Sequence, residues 1–144
     1  MITYSKADQK DILAIEALFK SQASESDSRK EIELCLMNYP SFIAKNGSKV
    51  VGVAYSLGIA KDILLLHSLL VDNDYRNKTI GCSLLTKIET AAKVAGYSSI
   101  ALTNSMQYKG LIKRSAVSFY EKNGYSVVHT SETKVPTYLL VKAL

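Results

Sequence analysis

Apolar positions in this chain change period several times, and each change predicts an element. Ile2 to Tyr4 reads as a first short strand, and Ser5 with Asp8 has the spacing of a helix capping box. Ile12, Ile15, Leu18 and Phe19 then recur on one helical face, until the polar run Ser21 to Asp27 ends it. Ser28, with Glu31 three residues on, caps a second short helix reaching about Met37, and Pro40 closes the helical region. Phe42 to Lys45 and Val50 to Tyr55 flank Asn46-Gly47, a pair that tolerates the positive φ of a tight hairpin. Ile63 to Val71 is apolar at both parities, the pattern of a strand covered on both faces, and is expected at the centre of the sheet.

From Ile80 the helical period returns at Leu84, Leu85, Ile88, Ala91, Ala92 and Ala95, with Gly96 placed for a left-handed C-terminal cap. Ser98 to Thr103 follows as a strand, so strand, helix and strand form a parallel pair with a right-handed crossover. A loop is expected from Asn104 to about Arg114. Ala116, Phe119 and Tyr120 then mark a short helix ending at Gly124, and Tyr125 to Thr130 and Tyr138 to Val141 are two last strands. The reading is therefore α/β (α+β) with a mixed sheet. Its 144 residues, without repeat or low-complexity linker, are expected to form one domain.

Composition narrows the class. Nearly half the residues are apolar and Gly and Pro are few, as in a globular protein. The longest apolar run, Ile63 to Val71, contains His67 and Ser68 and is too short to span a bilayer. The first residues lack a basic segment leading into an apolar one, so a cytoplasmic location is expected. Cys35 and Cys82 lie far apart with no C-x-x-C, which argues for free thiols and no metal site. The net charge of +5 favours an acidic ligand, but the Lys and Arg are spread from Lys6 to Lys142 and not gathered in a nucleic-acid-binding stripe.

The candidate chemistry lies where the central strand turns into the long helix, at Tyr75-Arg76-Asn77-Lys78-Thr79-Ile80-Gly81-Cys82. The first N–H groups of a helix lack internal acceptors and carry the positive end of its dipole, which makes such a turn an anion site. Arg76 and Lys78 add charge there, and Gly81 would let the backbone approach a diphosphate. A glycine in such a turn can equally serve packing alone.

This segment resembles the acetyl-CoA signature of the GNAT superfamily, R/Q-x-x-G-x-G/A, with Arg76 and Gly81 matching and Thr79 standing where the first Gly is expected. Ala116-Val117-Ser118-Phe119-Tyr120-Glu121-Lys122-Asn123-Gly124-Tyr125 resembles that family's second motif, A-x-x-F-Y-E-K-x-G-F/Y. The likeness spans about residues 1 to 142 and implies a GNAT-like sheet of six to seven strands flanked by about four helices.

The resemblance further implies an N-acetyltransferase using acetyl-CoA as co-substrate, a small-molecule or peptide amine as acceptor, and often a homodimer. It places Arg76, Asn77, Lys78, Thr79, Ile80, Gly81 and Cys82 on the cofactor's phosphates and the backbone of Leu69, Leu70 and Val71 along the pantetheine arm. Tyr120 would be the general acid for the departing thiolate, or only part of an apolar helix face, and both roles can coexist. The family's Asn three residues before the motif's Ala is here Lys113, which with Arg114 and Lys122 meets the phosphates or forms a solvated basic face. The same basic loop, Lys109 to Arg114, leans toward a carboxylate-bearing acceptor.

A lysine-like amine, with pKa roughly 10.4, must lose a proton before it attacks. GNAT enzymes often use a Glu on the central strand for this, but the strand here has no carboxylate. His67 aligns with that position, and imidazole, with pKa roughly 6.5, suits the role of base, the other reading being a hydrogen-bonded histidine under the sheet. Without a base the domain would be a silent acyl-CoA-binding regulatory module.

Overall fold

The computed structural model describes residues 1–76, 79–105, 107–109, 112–114 and 116–144, with the backbone alone for 105, 107–109 and 112–114. Strands β1 (Ile2–Lys6), β2 (Ser41–Asn46), β3 (Lys49–Gly58), β4 (Ile63–Val71), β5 (Ser99–Ser105), β8 (Ser126–Thr130) and β9 (Thr137–Ala143) form one sheet in the order β1-β2-β3-β4-β5-β9-β8. The β4–β5 pair is parallel and the other neighbours are antiparallel, so the mixed sheet is as expected and β4 is its middle strand. The α-helices are α1 (Ile12–Ser21), α2 (Arg29–Asn38), α3 (Ile80–Val94) and α4 (Val117–Lys122). None is long and apolar enough to cross a membrane.

The two faces of the sheet carry separate cores. On one, Leu84, Leu85 and Ile88 of α3 pack against Leu64, Leu66, Ile100, Leu102 and Leu140. On the other, Ile15, Leu18 and Phe19 of α1 and Ile32 of α2 pack against Ile43, Val53 and Tyr55. The helical periods read from the chain thus mark the buried faces.

Three details depart from the sequence-based expectations. Ser5 pairs with Ile43 inside β1, and the capping box lies three residues later, where the Asp8 N–H donates to Asp11 Oδ2 at 3.0 Å. Pairing with β2 satisfies the Ser5 backbone, so the strand runs on and the turn begins afterwards. The expected loop from Asn104 contains a hairpin, β6 (Gln107–Lys109) against β7 (Ile112–Arg114), too short to show an alternating pattern. Strand β4 is not covered throughout: Leu64 and Leu66 are buried, but Leu69, Leu70 and Val71 are only half-buried.

The reason lies in a bulge. Tyr55 pairs with Ser68 and Ser56 with Leu66, which leaves His67 as an extra residue in β4. The parity of the strand reverses there: Leu64 and Leu66 face α3 before the bulge, and Leu69 and Val71 face it afterwards. Pairing with β5 also stops just short of it, covering only Ile63, Leu64 and Leu65. The two parallel strands then diverge, and the second half of β4 borders a cleft.

Candidate active site

That cleft measures about 990 Å³, within the range of small-molecule sites. Leu69, Leu70 and Val71 line one wall and Arg76, Thr79, Ile80, Gly81 and Cys82 another, with Tyr120 opposite. Nine residues singled out in the sequence are therefore gathered in one concavity. Asn77 and Lys78 lie outside the described residues, and Lys113 is on β7, where only the backbone is described. Lys122 is exposed at the end of α4 and does not line the cleft. His67 is not in the lining, although its neighbour Ser68 is.

At the start of α3, Thr79 occupies the N-cap with φ 62° and ψ 8°, and its side chain does not cap the helix. The first helical bond is from Ser83 N–H to the Thr79 carbonyl, so the N–H groups of Ile80, Gly81 and Cys82 precede the helical ladder. Arg76 reaches back over the strand end, its Nε donating to the Val71 carbonyl at 3.3 Å. A left-handed backbone explains why a glycine is expected at this position: a β-branched residue is strained there. Among the described non-glycine residues, Ala23 and Thr79 have positive φ, and both line this cleft. Thr79→Gly should therefore raise stability by about 1 kcal/mol, the strain relieved less the entropy cost of glycine. It should also tighten acetyl-CoA binding; a melting temperature at or below wild type would show that the contacts of threonine outweigh the strain.

Gly81 meets a different constraint. A Cβ there would lie 3.3 Å from Phe119 Cζ and 3.8 Å from Val71 Cγ2. The glycine thus lets α3 approach the aromatic ring of α4 at the edge of the cleft, and it carries no positive φ.

Tyr120 is 7% exposed and packs edge-on against Phe119 and Tyr125, with centroids 5.1 and 5.8 Å away. Burial pushes its phenol up to about 12. It therefore keeps its proton throughout the neutral range.

Asp27, in the loop before α2, was not read from the sequence as a site residue. Its Oδ2 lies 3.2 Å from His67 Nδ1 and accepts a hydrogen bond from the Tyr55 hydroxyl. His67 Nε2 faces Glu31 Oε2 at 3.7 Å, and the imidazole stacks on Tyr55 with centroids 5.7 Å apart. Burial first, then the bond to Asp27, holds the Tyr55 phenol well above its ordinary range. Asp27, Glu31 and His67 offer three ligand atoms within 4.8 Å, yet a carboxylate opposes each ring nitrogen and Tyr55 engages Asp27. Other lining residues missed in the sequence are Phe19, Ser24, Glu25 and Asn104, whose Oδ1 accepts from Ala116 N–H at 3.2 Å and ties the end of β5 to α4. Only folding brings such distant positions together.

Comparison with known proteins decides the family. A model of the acetyltransferase (GNAT) domain matches residues 38–127, more than half the chain. The chain belongs to the GNAT acetyltransferases. No curated protein sequence matches it. Solved structures do: an aminoglycoside 6′-N-acetyltransferase complexed with coenzyme A aligns over 98% of this chain and 96% of its own, with TM-score 0.83 and 18% identity. The ribosomal-protein-S18-alanine N-acetyltransferase of Escherichia coli aligns over 99% and 94%, with TM-score 0.80 and 17% identity. PaiA N-acetyltransferase of Thermoplasma acidophilum, in complex with coenzyme A, aligns over 100% and 99%, with TM-score 0.79 and 18% identity. At these identities the likeness is one of fold. The GNAT fold is thereby shown.

Proposed function

We propose that this GNAT chain is an N-acetyltransferase that passes the acetyl group of acetyl-CoA to a primary amine by direct attack. The observation that carries the reading is the single cleft joining the second half of β4, the N-terminus of α3 and the buried phenol of Tyr120. The α3 N–H groups and Arg76 would bind the pyrophosphate, and the backbone of Leu69 to Val71, no longer paired with β5, would hold the pantetheine arm as an added strand. An amine acceptor is supported by the neighbours, two of which are by name N-acetyltransferases of an aminoglycoside and of an alanine in ribosomal protein S18. Cys35 and Cys82 are free thiols, which fits action in the cytoplasm.

In this reading His67 takes a proton from the amine as its nitrogen bonds to the thioester carbon. The C–S bond breaks and the departing sulfur takes the proton of Tyr120; solvent then returns a proton to the phenol and takes one from His67. The net change is amine plus acetyl-CoA to acetamide plus CoA. Thermal unfolding tests the first half: acetyl-CoA should raise the melting temperature by several degrees and ATP by less, because a ligand of the folded state stabilises it by mass action. Turnover is then sought with spermidine, kanamycin and an alanine-initiated peptide. No shift at millimolar acetyl-CoA, or binding without turnover, would favour the silent-module reading to which the strain at Thr79 also points.

A further inference from the structure

We propose that Asp27 is a positioning residue that sets the tautomer of His67 for proton transfer, with Tyr55 holding Asp27 in place; this rests on the reading of His67 as base. The central strand has no carboxylate of its own, and the loop before α2 brings one to it. The bulge makes this geometry available, because the extra residue of β4 stacks on Tyr55 and not within the ladder.

The Nδ1 atom of His67 is buried and has no aligned hydrogen-bond acceptor among the described residues, yet Asp27 Oδ2 lies 3.2 Å away. An unsatisfied buried donor is costly, and catalytic hydrogen bonds are often poorly aligned before substrate binds. A neutral imidazole carries one ring proton, and of the two carboxylates Asp27, 3.2 Å from Nδ1, is nearer than Glu31, 3.7 Å from Nε2, and so draws the proton to Nδ1. Nε2 is then left with its lone pair, directed toward Glu31, whose side chain is 57% exposed. When Nε2 takes the amine proton, the carboxylate of Asp27 stabilises the imidazolium without itself becoming protonated. The Tyr55 hydroxyl occupies the same Oδ2, so the carboxylate cannot swing away freely.

Asp27→Asn, made together with Tyr55→Phe and with Tyr55→Phe alone as the control, tests this: one atom, Oδ2, faces both the Tyr55 hydroxyl and Nδ1, and once that hydroxyl is gone the amide NH2 can take its place and offer Nδ1 a donor. The chain has two histidines, so long-range proton–nitrogen NMR, with His129→Gln for assignment, reads the tautomer of His67 without substrate. The expected result is Nδ1–H in the wild type and in Tyr55→Phe, and Nε2–H in the double variant. With the fastest amine of the panel above, Asp27→Asn added to Tyr55→Phe should lower kcat about tenfold or more, leave KM for acetyl-CoA unchanged, and add nothing in a His67→Gln background. Nε2–H in the wild type, or an equal loss in the His67→Gln background, overturns the proposal. Wild-type turnover by His67→Gln overturns the base assignment beneath it, an outcome told apart because the NMR reading needs no turnover.

Discussion

Tyr120→Phe should lower kcat by about a hundredfold to a thousandfold, the usual contribution of a positioned general acid, while leaving the acetyl-CoA-induced rise in melting temperature intact. The ring stays, and with it the edge-on contacts to Phe119 and Tyr125, so packing changes little. What is lost, on the proposed mechanism, is the proton offered to the departing sulfur. Because burial moves the phenol from about 10 up to about 12, no alkaline limb below about pH 11 should come from this residue. The linkage has a definite sign. The folded state holds this proton more tightly than the unfolded state, so the stability it contributes is complete below pH 10 and is lost as pH rises toward 12. Wild type and Tyr120→Phe should therefore diverge in stability above pH 10, the variant losing less. A kcat within threefold of wild type would assign Tyr120 to packing alone.

The second large effect is on stability. Leu84 is fully buried in the second turn of α3, and Gly52 of β3 comes so close beneath it that a Cβ there would lie 3.0 Å from Leu84 Cδ1. Backbone on one side and the α3 helix on the other leave little room for collapse, so Leu84→Ala should leave a cavity. The expected cost is about 3 kcal/mol, within the 2–5 kcal/mol of such truncations, and a fall in melting temperature of about ten degrees. Urea unfolding should show a lower midpoint with unchanged slope. Val94→Ala, at a position 85% exposed near the end of the same helix, should stay within about 0.5 kcal/mol and serves as the control. Acetyl-CoA should recover part of the loss in Leu84→Ala, since it binds only folded protein. A change below about 1 kcal/mol would mean that the sheet and helix close over the gap.

The contrast between these residues shows what could be read in advance. Leu84, Leu85 and Ile88 announce themselves by helical spacing, and α3 lies where that spacing puts it. Strand β4 has the bounds of its apolar run, Ile63–Val71. Tyr120 was legible through the motif that surrounds it, and the structure sets it in the cleft. These signals are local: a period or a run of residue types dictates backbone conformation over a few turns or pairs, and distant residues need not be known.

The bulge at His67 could not be read the same way, because a strand apolar at both parities looks the same whether or not its register shifts. Nor could the left-handed backbone of Thr79, which the junction of β4 and α3 imposes on a residue that does not favour it. Asp27 lies 40 positions before His67 in a polar run that reads only as a break between helices. The sequence by itself determined the seven strands of the large sheet, the four helices, their order and the family, since each is written in short-range pattern. Tertiary structure alone decided where β4 parts from β5 and which carboxylate stands beside the imidazole, because both depend on how separate segments pack across the sheet.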